Sequence, residues 1–188
     1  MRQKYQKLRI IVPISPEGWD AENEVFVEPK TQILELEHSL VSISDWESKW
    51  HKPFFSKNKT DEETMDYIKC MTITENVDPD VYKHLTKENS EAIHRYINDS
   101  MTATTFSKDQ TGKGGKETIT SELIYYWMLS LSIPVEFEHW HINRLMTLIM
   151  VCNIKNSPKK KRSTKDIMRH NTALNAARRQ QFMNGSKG

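Results

Sequence analysis

The first 38 residues alternate between apolar and polar positions in the manner of short β-strands. Residues 8–14, LRIIVPI, read as a strand that ends in the turn sequence SPEGWD. Two further short runs, EVFVE at 24–28 and TQILELE at 31–37, are separated by Pro29 and Lys30, which predicts that they pair as a hairpin. The sequence therefore predicts a small N-terminal sheet.

Helical periodicity replaces this pattern after residue 38. Thr60 and Thr86 each begin a sequence typical of a capped helix. Apolar residues at helical spacing follow these two positions, namely Met65, Ile68, Met71, Ile93, Tyr96 and Ile97. The pattern predicts two amphipathic helices.

Residues 120–155 hold the most apolar part of the chain. Thr120 or Ser121 is expected to cap a helix that ends before Pro134, and Pro134 then begins a second helix that runs to about residue 155. We expect these two helices to form a hairpin at the centre of the core. Their apolar or bulky positions are Leu123, Ile124, Trp127, Met128, Leu131, Phe137, Trp140, His141, Leu145, Leu148, Ile149 and Cys152.

The C-terminal segment is basic and poor in apolar residues. A linker over 156–163 precedes a final helix that Thr164 is expected to cap. Its apolar positions are sparse, which indicates that it folds fully only on a partner. The prediction is a mainly α (α+β) protein, divided into an N-terminal β segment (1–38), a helical core (39–155) and a basic linker with a C-terminal helix (156–188).

Charge is distributed unevenly along the chain. Residues 155–188 contain ten Lys or Arg and one acid, a net charge of +9, and the chain total of +2 leaves −7 for the rest. No apolar run approaches the roughly 20 residues of a bilayer span. The N-terminus has no secretory signal pattern, and two cysteines without such a signal favour reduced thiols, so we expect a soluble protein of a reducing cytoplasm.

No stretch carries a catalytic, cofactor or metal signature. The glycine-rich sequence TGKGGKE fails the P-loop pattern, because Gln110 stands where that pattern needs Gly and Glu117 where it needs Ser or Thr. His139 and His141 are two residues apart, so on a helix they would point in different directions. We expect His141 at the edge of the core with a hydrogen bond. The prediction is a protein that is not an enzyme and binds no cofactor or metal.

The basic run before the final helix has two interpretations. Nucleic acid is one candidate partner for its cationic residues, and the other interpretation is a solvated tail. No aromatic residue lies among these charges to stack on bases, which disfavours nucleic acid. The candidate contacts are Lys159, Lys160, Lys161 and Arg162.

The sequence SISDWESKWHKPFF, residues 42–55, concentrates aromatic residues. If Ser44 caps a short helix, Trp46 and Trp50 share one face of it, and Pro53 follows its end. Large aromatic side chains bury much surface, which favours a position in the core for these residues and for the Phe54–Phe55 pair. An exposed patch that binds a partner is the second interpretation.

Several stretches resemble a family of small proteins of long-tailed bacteriophages that are labelled tail assembly chaperones. They are LEHSLVSISDWESKWHKPFFS, ETMDYIKCMTITENVDPDVY, MTATTF, ELIYYWMLSLSIPVEFEHWHINRLMTLIMVCN and ALNAARRQQ, and the resemblance covers about residues 31–188. Residues 1–30 match less well. This chain has Glu138 and His139 where the family pattern has Gln and Lys, which further weakens a metal role for His139.

The resemblance implies a holdase in the host cell cytoplasm that keeps the tape-measure protein soluble while the tail tube forms around it. It implies partner contacts at the aromatic segment and on the final helix, which would dock on the client or in a groove of a neighbouring copy. The candidate contacts are Trp46, Trp50, Phe54, Phe55, Ile167, Leu174, Arg178 and Arg179. A nucleic-acid-binding regulator and a structural tail component are the alternative functions.

Overall fold

The structure is a computed structural model of the whole chain. It describes residues 7–15, 18–20, 25–27, 30–106, 118–157 and 164–185. Two compact units make up the chain, residues 1–155 and residues 156–188. The class is mainly helical α+β, as the sequence predicted.

Within the ranges that the structure describes, four short strands form two antiparallel pairs. They are β1 (Leu8–Pro13), β2 (Gly18–Asp20), β3 (Val25–Val27) and β4 (Thr31–Leu36). β1 pairs with β4, and β2 pairs with β3. The predicted hairpin between residues 24–28 and 31–37 is therefore wrong.

The observed register explains the pairing of β1 with β4. It places Ile10 opposite Leu34, and Val12 lies on the same buried face two residues further along. The side-chain period of two in a strand makes this register bury one apolar row from each strand. β1 and β4 thus share one core with helices of the first unit.

Six α-helices follow the strands in the described residues. They are α1 (Leu40–Trp50), α2 (Asp61–Met71), α3 (Lys87–Asn98), α4 (Ser121–Ser130), α5 (Ile142–Asn156) and α6 (Thr164–Gly185). The 3-10 helix Pro79–His84 lies between α2 and α3, and the 3-10 helix Val135–His139 lies between α4 and α5. No helix in the described part of the chain has the length and hydropathy needed to cross a bilayer.

The predicted caps of α2 and α3 are confirmed, and that of α1 is wrong. Thr60 and Thr86 each accept a hydrogen bond from the backbone N–H three residues later. α1 begins five residues earlier than a cap at Ser44 would place it, because Ser39 and Ser42 form a reciprocal capping box. α1 ends where His51 adopts a left-handed backbone conformation (φ 52°), two residues before Pro53.

The second helix of the predicted hairpin begins later than expected. The 3-10 helix Val135–His139 follows Pro134, and α5 starts only at Ile142. His141 pairs with Ser39 in an isolated β-bridge, and the Ile142 N–H donates to the His38 carbonyl at 2.9 Å. This attachment to the chain preceding α1 takes the backbone out of helical geometry at Trp140 and His141.

Candidate protein-binding surfaces

Most of the aromatic segment predicted to bind a partner lies in the core. Trp46 and Phe54 are buried and pack edge to face at 5.4 Å between ring centroids. The Trp46 indole N–H donates to the Glu63 carbonyl at 2.9 Å. Trp50 is half-buried, and Phe55 alone of the four is exposed, at 43%. In this conformation, Trp46 and Phe54 are not available to a partner.

The charged residues of the same segment hold α1 against α2. Lys49 pairs with Asp66, and Lys52 pairs with Glu63. The hydrogen bond from Lys52 holds the pKa of Glu63 below its usual range. These ion pairs therefore connect α1 and the loop that follows it to α2.

Lys59 packs against the aromatic rings of Phe54 and Trp46. Its ammonium lies 4.1 Å from the centre of the Phe54 ring and 5.3 Å from that of Trp46. Partial burial lowers the pKa of Lys59, and the cation also donates to the Phe54 carbonyl. This packing leaves no aromatic cage open to a ligand within the segment.

A buried polar network surrounds His38. Its Nδ1 lies 2.5 Å from the Tyr67 hydroxyl, which is 3.2 Å from Ser42 Oγ. The His38 backbone N–H donates to the Tyr96 hydroxyl at 3.1 Å, and His141 Nε2–H donates to the Tyr96 carbonyl at 2.9 Å. His141 is fully buried, so its expected place at the core edge is wrong, whereas the expected hydrogen bond is confirmed.

Burial fixes the charge state of both imidazoles. Desolvation and the neighbouring His141 lower the pKa of His38 to about 3. Desolvation also lowers the pKa of His141. His139, by contrast, is exposed and lies 3.0 Å from Glu37. Within the described ranges, no three His, Cys, Asp or Glu side chains group together in a way that would hold a metal ion.

The outer face of the β1–β4 sheet carries three exposed isoleucines. Ile11 and Ile33 are direct cross-strand partners, exposed at 58% and 39%. The Ile73 N–H donates to the Glu35 carbonyl at 2.9 Å, so residues 72–74 continue the sheet beyond β4. This places Ile73 on the same face as Ile33. We name this surface the isoleucine face: Ile11, Ile33 and Ile73.

Sequence analysis missed the isoleucine face, although the strands contain a signal for it. In β1, Ile10 and Val12 point into the core, while Ile11 points outward on the same side as Arg9, so the outer face of the strand is only partly polar. Strands of this kind are typical of sheets covered on both sides. Among the residues that the structure describes, the inner side of this sheet belongs to the core, whereas Ile11 and Ile33 on the outer side are exposed.

A second exposed apolar surface lies on α4 and the segment after it. Tyr126, Leu129 and Val135 are all exposed, and Leu129 is the most exposed of the three at 78%. The sequence pattern had placed α4 in a central hairpin, but only Ser121, Ile124 and Met128 of this helix are buried. One face of α4 is therefore buried in the core, and the opposite face is exposed to solvent.

The C-terminal helix α6 is exposed wherever its side chains are described. Met168, Leu174, Arg178 and Arg179 all face solvent. Ile167 lies in α6, but its side chain is outside the described set. The predicted nucleic-acid contacts Lys159, Lys160, Lys161 and Arg162 also lie outside the described residues.

Comparison with known proteins adds no relative. No protein-family model, curated protein or solved structure matches this chain.

Proposed function

We propose that this chain is a non-enzymatic protein-binding protein that acts as a tail assembly chaperone of a long-tailed bacteriophage in the host cytoplasm. Its client is the tape-measure protein, which it keeps soluble during tail assembly. The isoleucine face is the observation that carries this proposal, because its three isoleucine side chains are exposed to solvent in the described part of the chain.

The shape of this face suits a helical client. A sheet face is covered in folded proteins either by another sheet or by helices whose apolar stripe lies along it. Ile11 and Ile33 form a row across the ladder, and Ile73 extends it diagonally. A long amphipathic helix that aggregates by itself would bury its stripe on these side chains.

The edge of the sheet supports docking on the face rather than addition of a strand. The Asn89 amide donates to the Ile11 carbonyl at 3.1 Å, which occupies part of the outer edge of β1. On the other side of β4, the Glu35 N–H donates to Thr74 Oγ1 at 2.8 Å. Both contacts reduce the number of free backbone groups that an added strand would need.

Co-expression with the tape-measure protein of the same phage tests the proposal. We expect the client to be soluble only with this chain and to co-elute with it on size exclusion. The double variant Ile11→Gln/Ile33→Gln should weaken the complex at least about tenfold, since each buried isoleucine contributes about 1.5–3 kcal/mol. Both positions are exposed, so the thermal unfolding of the chain should change little.

Phe55→Gln is the matched comparison, because Phe55 is the exposed residue of the sequence-predicted aromatic site. Loss of the complex in Phe55→Gln, but not in Ile11→Gln/Ile33→Gln, would place the client-binding site at Phe55 instead of at the isoleucine face. A client that stays insoluble with the wild-type chain would refute the chaperone proposal. Mass spectrometry of purified virions would then test whether the chain is a structural tail component. Measuring DNA or RNA binding as a function of salt concentration would test whether it is a nucleic-acid-binding regulator.

A further inference from the structure

We propose that a second copy of this chain covers the isoleucine face when no client is bound. The two copies are related by a two-fold axis that runs parallel to β1 and β4, in the plane between the two stacked sheets. This dimer follows from the sheet alone. Only its displacement by the client rests on the proposed function.

Two opposite charges flank the isoleucine face at one end. Arg9 precedes Ile11 by two residues and Glu35 follows Ile33 by two, so the alternation of a strand places both on the outer side of the sheet. Both side chains are exposed. The register makes Arg9 and Glu35 direct cross-strand partners, as it does Ile11 and Ile33. The outer face therefore carries one apolar pair and, two residues away, one pair of opposite charge.

A two-fold axis converts each cross-strand pair into a pair between copies. Cross-strand partners lie at the same height along the strands. A half-turn about an axis parallel to the strands and midway between them exchanges the positions of β1 and β4 and keeps this height. Ile11 of one copy then lies over the partner's Ile33, and Arg9 lies over the partner's Glu35. Symmetry repeats each of these contacts once more.

The arrangement obeys the packing rules for stacked sheets. Two sheet faces pack about 10 Å apart, with their strands within about 30° of each other. The contacting side chains all come from the two strands beside the axis, so a crossing angle of this size displaces them little. Ile11 and Ile33 of both copies are buried between the layers, and the Arg–Glu contacts lie at the edge, where charges are tolerated.

The charges of the face favour a second copy as its occupant. A surface with one cation and one anion on neighbouring strands is matched by its own rotated image, which brings each charge over its opposite. A helix with charge of mainly one sign matches only half of this pattern. α6 carries four basic residues and one acid, so Arg9 disfavours it on this face.

The small area of the face makes this dimer weak. Two strands of six residues present three outward side chains each, well below the roughly 800 Å² per partner of a standard interface. Interfaces of this size support transient complexes, and we expect a dissociation constant on the order of 100 μM. A weak dimer shields the isoleucines from other apolar surfaces and yields to a client that binds more tightly.

Sedimentation equilibrium of the full-length, nuclease-treated chain tests the proposal at concentrations up to about 1 mM, well above the expected dissociation constant. The average mass of the wild type should rise from 22.1 kDa toward twice that value. Arg9→Glu should weaken association at least about tenfold, because it places acids over acids, and Glu35→Arg should do the same with cations. Lys57→Glu, which reverses an exposed charge outside the sheet, should associate like the wild type.

A mixture of the two charge variants distinguishes a second copy from other occupants. Arg9→Glu and Glu35→Arg, combined in equal amounts, should form a heterodimer about as tightly as the wild type forms its dimer, because each acid at the interface then lies over a cation. Mixing repairs no contact within a chain, so this result separates a second copy from α6 of the same chain. Lys57→Glu mixed with Glu35→Arg is the matched control and should associate more weakly.

Three results would overturn the proposal. The first is a wild-type chain that stays monomeric up to the highest concentration, which includes a chain whose isoleucine face is covered by its own α6. The second is association that neither charge reversal weakens. The third is a mixture of the two variants that associates no better than either variant alone. The client is absent from all three measurements, so the dimer can fail while the chaperone proposal holds.

Addition of the tape-measure protein to the wild-type chain tests the displacement separately. Energy transfer between donor-labelled and acceptor-labelled copies should fall as the complex forms, because the dimer and the complex need the same isoleucines. A dimer that persists inside the complex would refute the displacement and leave the dimer itself in place.

Discussion

Glu47 and Ser121 are 74 positions apart in the sequence and are joined inside the protein. Glu47 Oε2 accepts a hydrogen bond from the Ser121 N–H at 2.7 Å, and Oε1 accepts one from the Phe54 N–H at 2.6 Å. The carboxylate of α1 thereby caps the first turn of α4, where the Thr120 side chain makes no capping bond. One buried side chain thus joins α1, the loop after it and the start of α4.

Glu47→Ala should destabilise the protein by about 3 kcal/mol, because it leaves two backbone N–H groups without an acceptor. Glu47→Gln should cost less, since the amide oxygen still accepts one of the two bonds. Urea unfolding followed by circular dichroism measures both values. Glu75→Ala, which removes an exposed acid, serves as the control and should change stability by less than about 0.5 kcal/mol. Equal effects for Glu47→Ala and Glu75→Ala would contradict the capping role.

Stability should decrease as the pH falls from about 6.5 to 5. The pKa of His38 is lowered to about 3 in the folded state, and that of His141 is also lowered, so below about 6.5 the unfolded chain binds protons that the native chain does not. His38 alone should contribute a loss of about 2 kcal/mol over this range. Chemical unfolding at several pH values measures the slope.

His38→Gln should flatten this slope, whatever it does to the absolute stability. His84→Gln is the control, because His84 is exposed and its side chain is in water before and after unfolding. A slope that is the same in wild type and His38→Gln would show that this imidazole does not stay neutral in the core. The range ends at pH 5, above the titration of most carboxylates.

The aromatic residues of α1 and the following loop should separate into core and surface by their effect on stability. Trp46→Ala should cost about 4 kcal/mol, because it empties a buried site of an indole. Phe55→Ala should cost less than about 1 kcal/mol. Thermal and urea unfolding measure both. If Trp46→Ala does not fold, Trp46→Phe replaces it and should still lower stability more than Phe55→Ala does. An equally large loss of stability for Phe55→Ala would refute the assignment of Trp46 to the core and Phe55 to the surface.

Helix α1 offers a direct test of its cap. Ser39→Ala should lower stability by about 1 kcal/mol, because the Ser39 side chain accepts from the Ser42 N–H. Ser44→Ala should be close to neutral, since Ser44 lies inside the helix. Unfolding in urea compares the two variants. A larger loss at Ser44 would place the helix start where the sequence pattern first predicted it.

Local sequence determined much of the secondary structure. The capping boxes at Thr60 and Thr86 act within four residues of backbone, so the sequence predicted the starts of α2 and α3. The apolar spacing likewise predicted a mainly helical chain with N-terminal strands. The start of α1 was missed because Ser39 and Ser42 form a capping box with Ser at its third position, where the usual pattern has Glu or Gln.

Only tertiary structure decided which strands pair and which apolar residues stay exposed. β1 pairs with β4 because that register buries Ile10 and Leu34 together, a gain that depends on the helices covering the same face. Ile11 and Leu129 have the same hydropathy as buried residues, so composition does not distinguish them. Ile11 lies on the side of the sheet that faces away from the core, and Leu129 lies on the side of α4 that does the same. The core packs against only the other side of each element, so both side chains remain exposed.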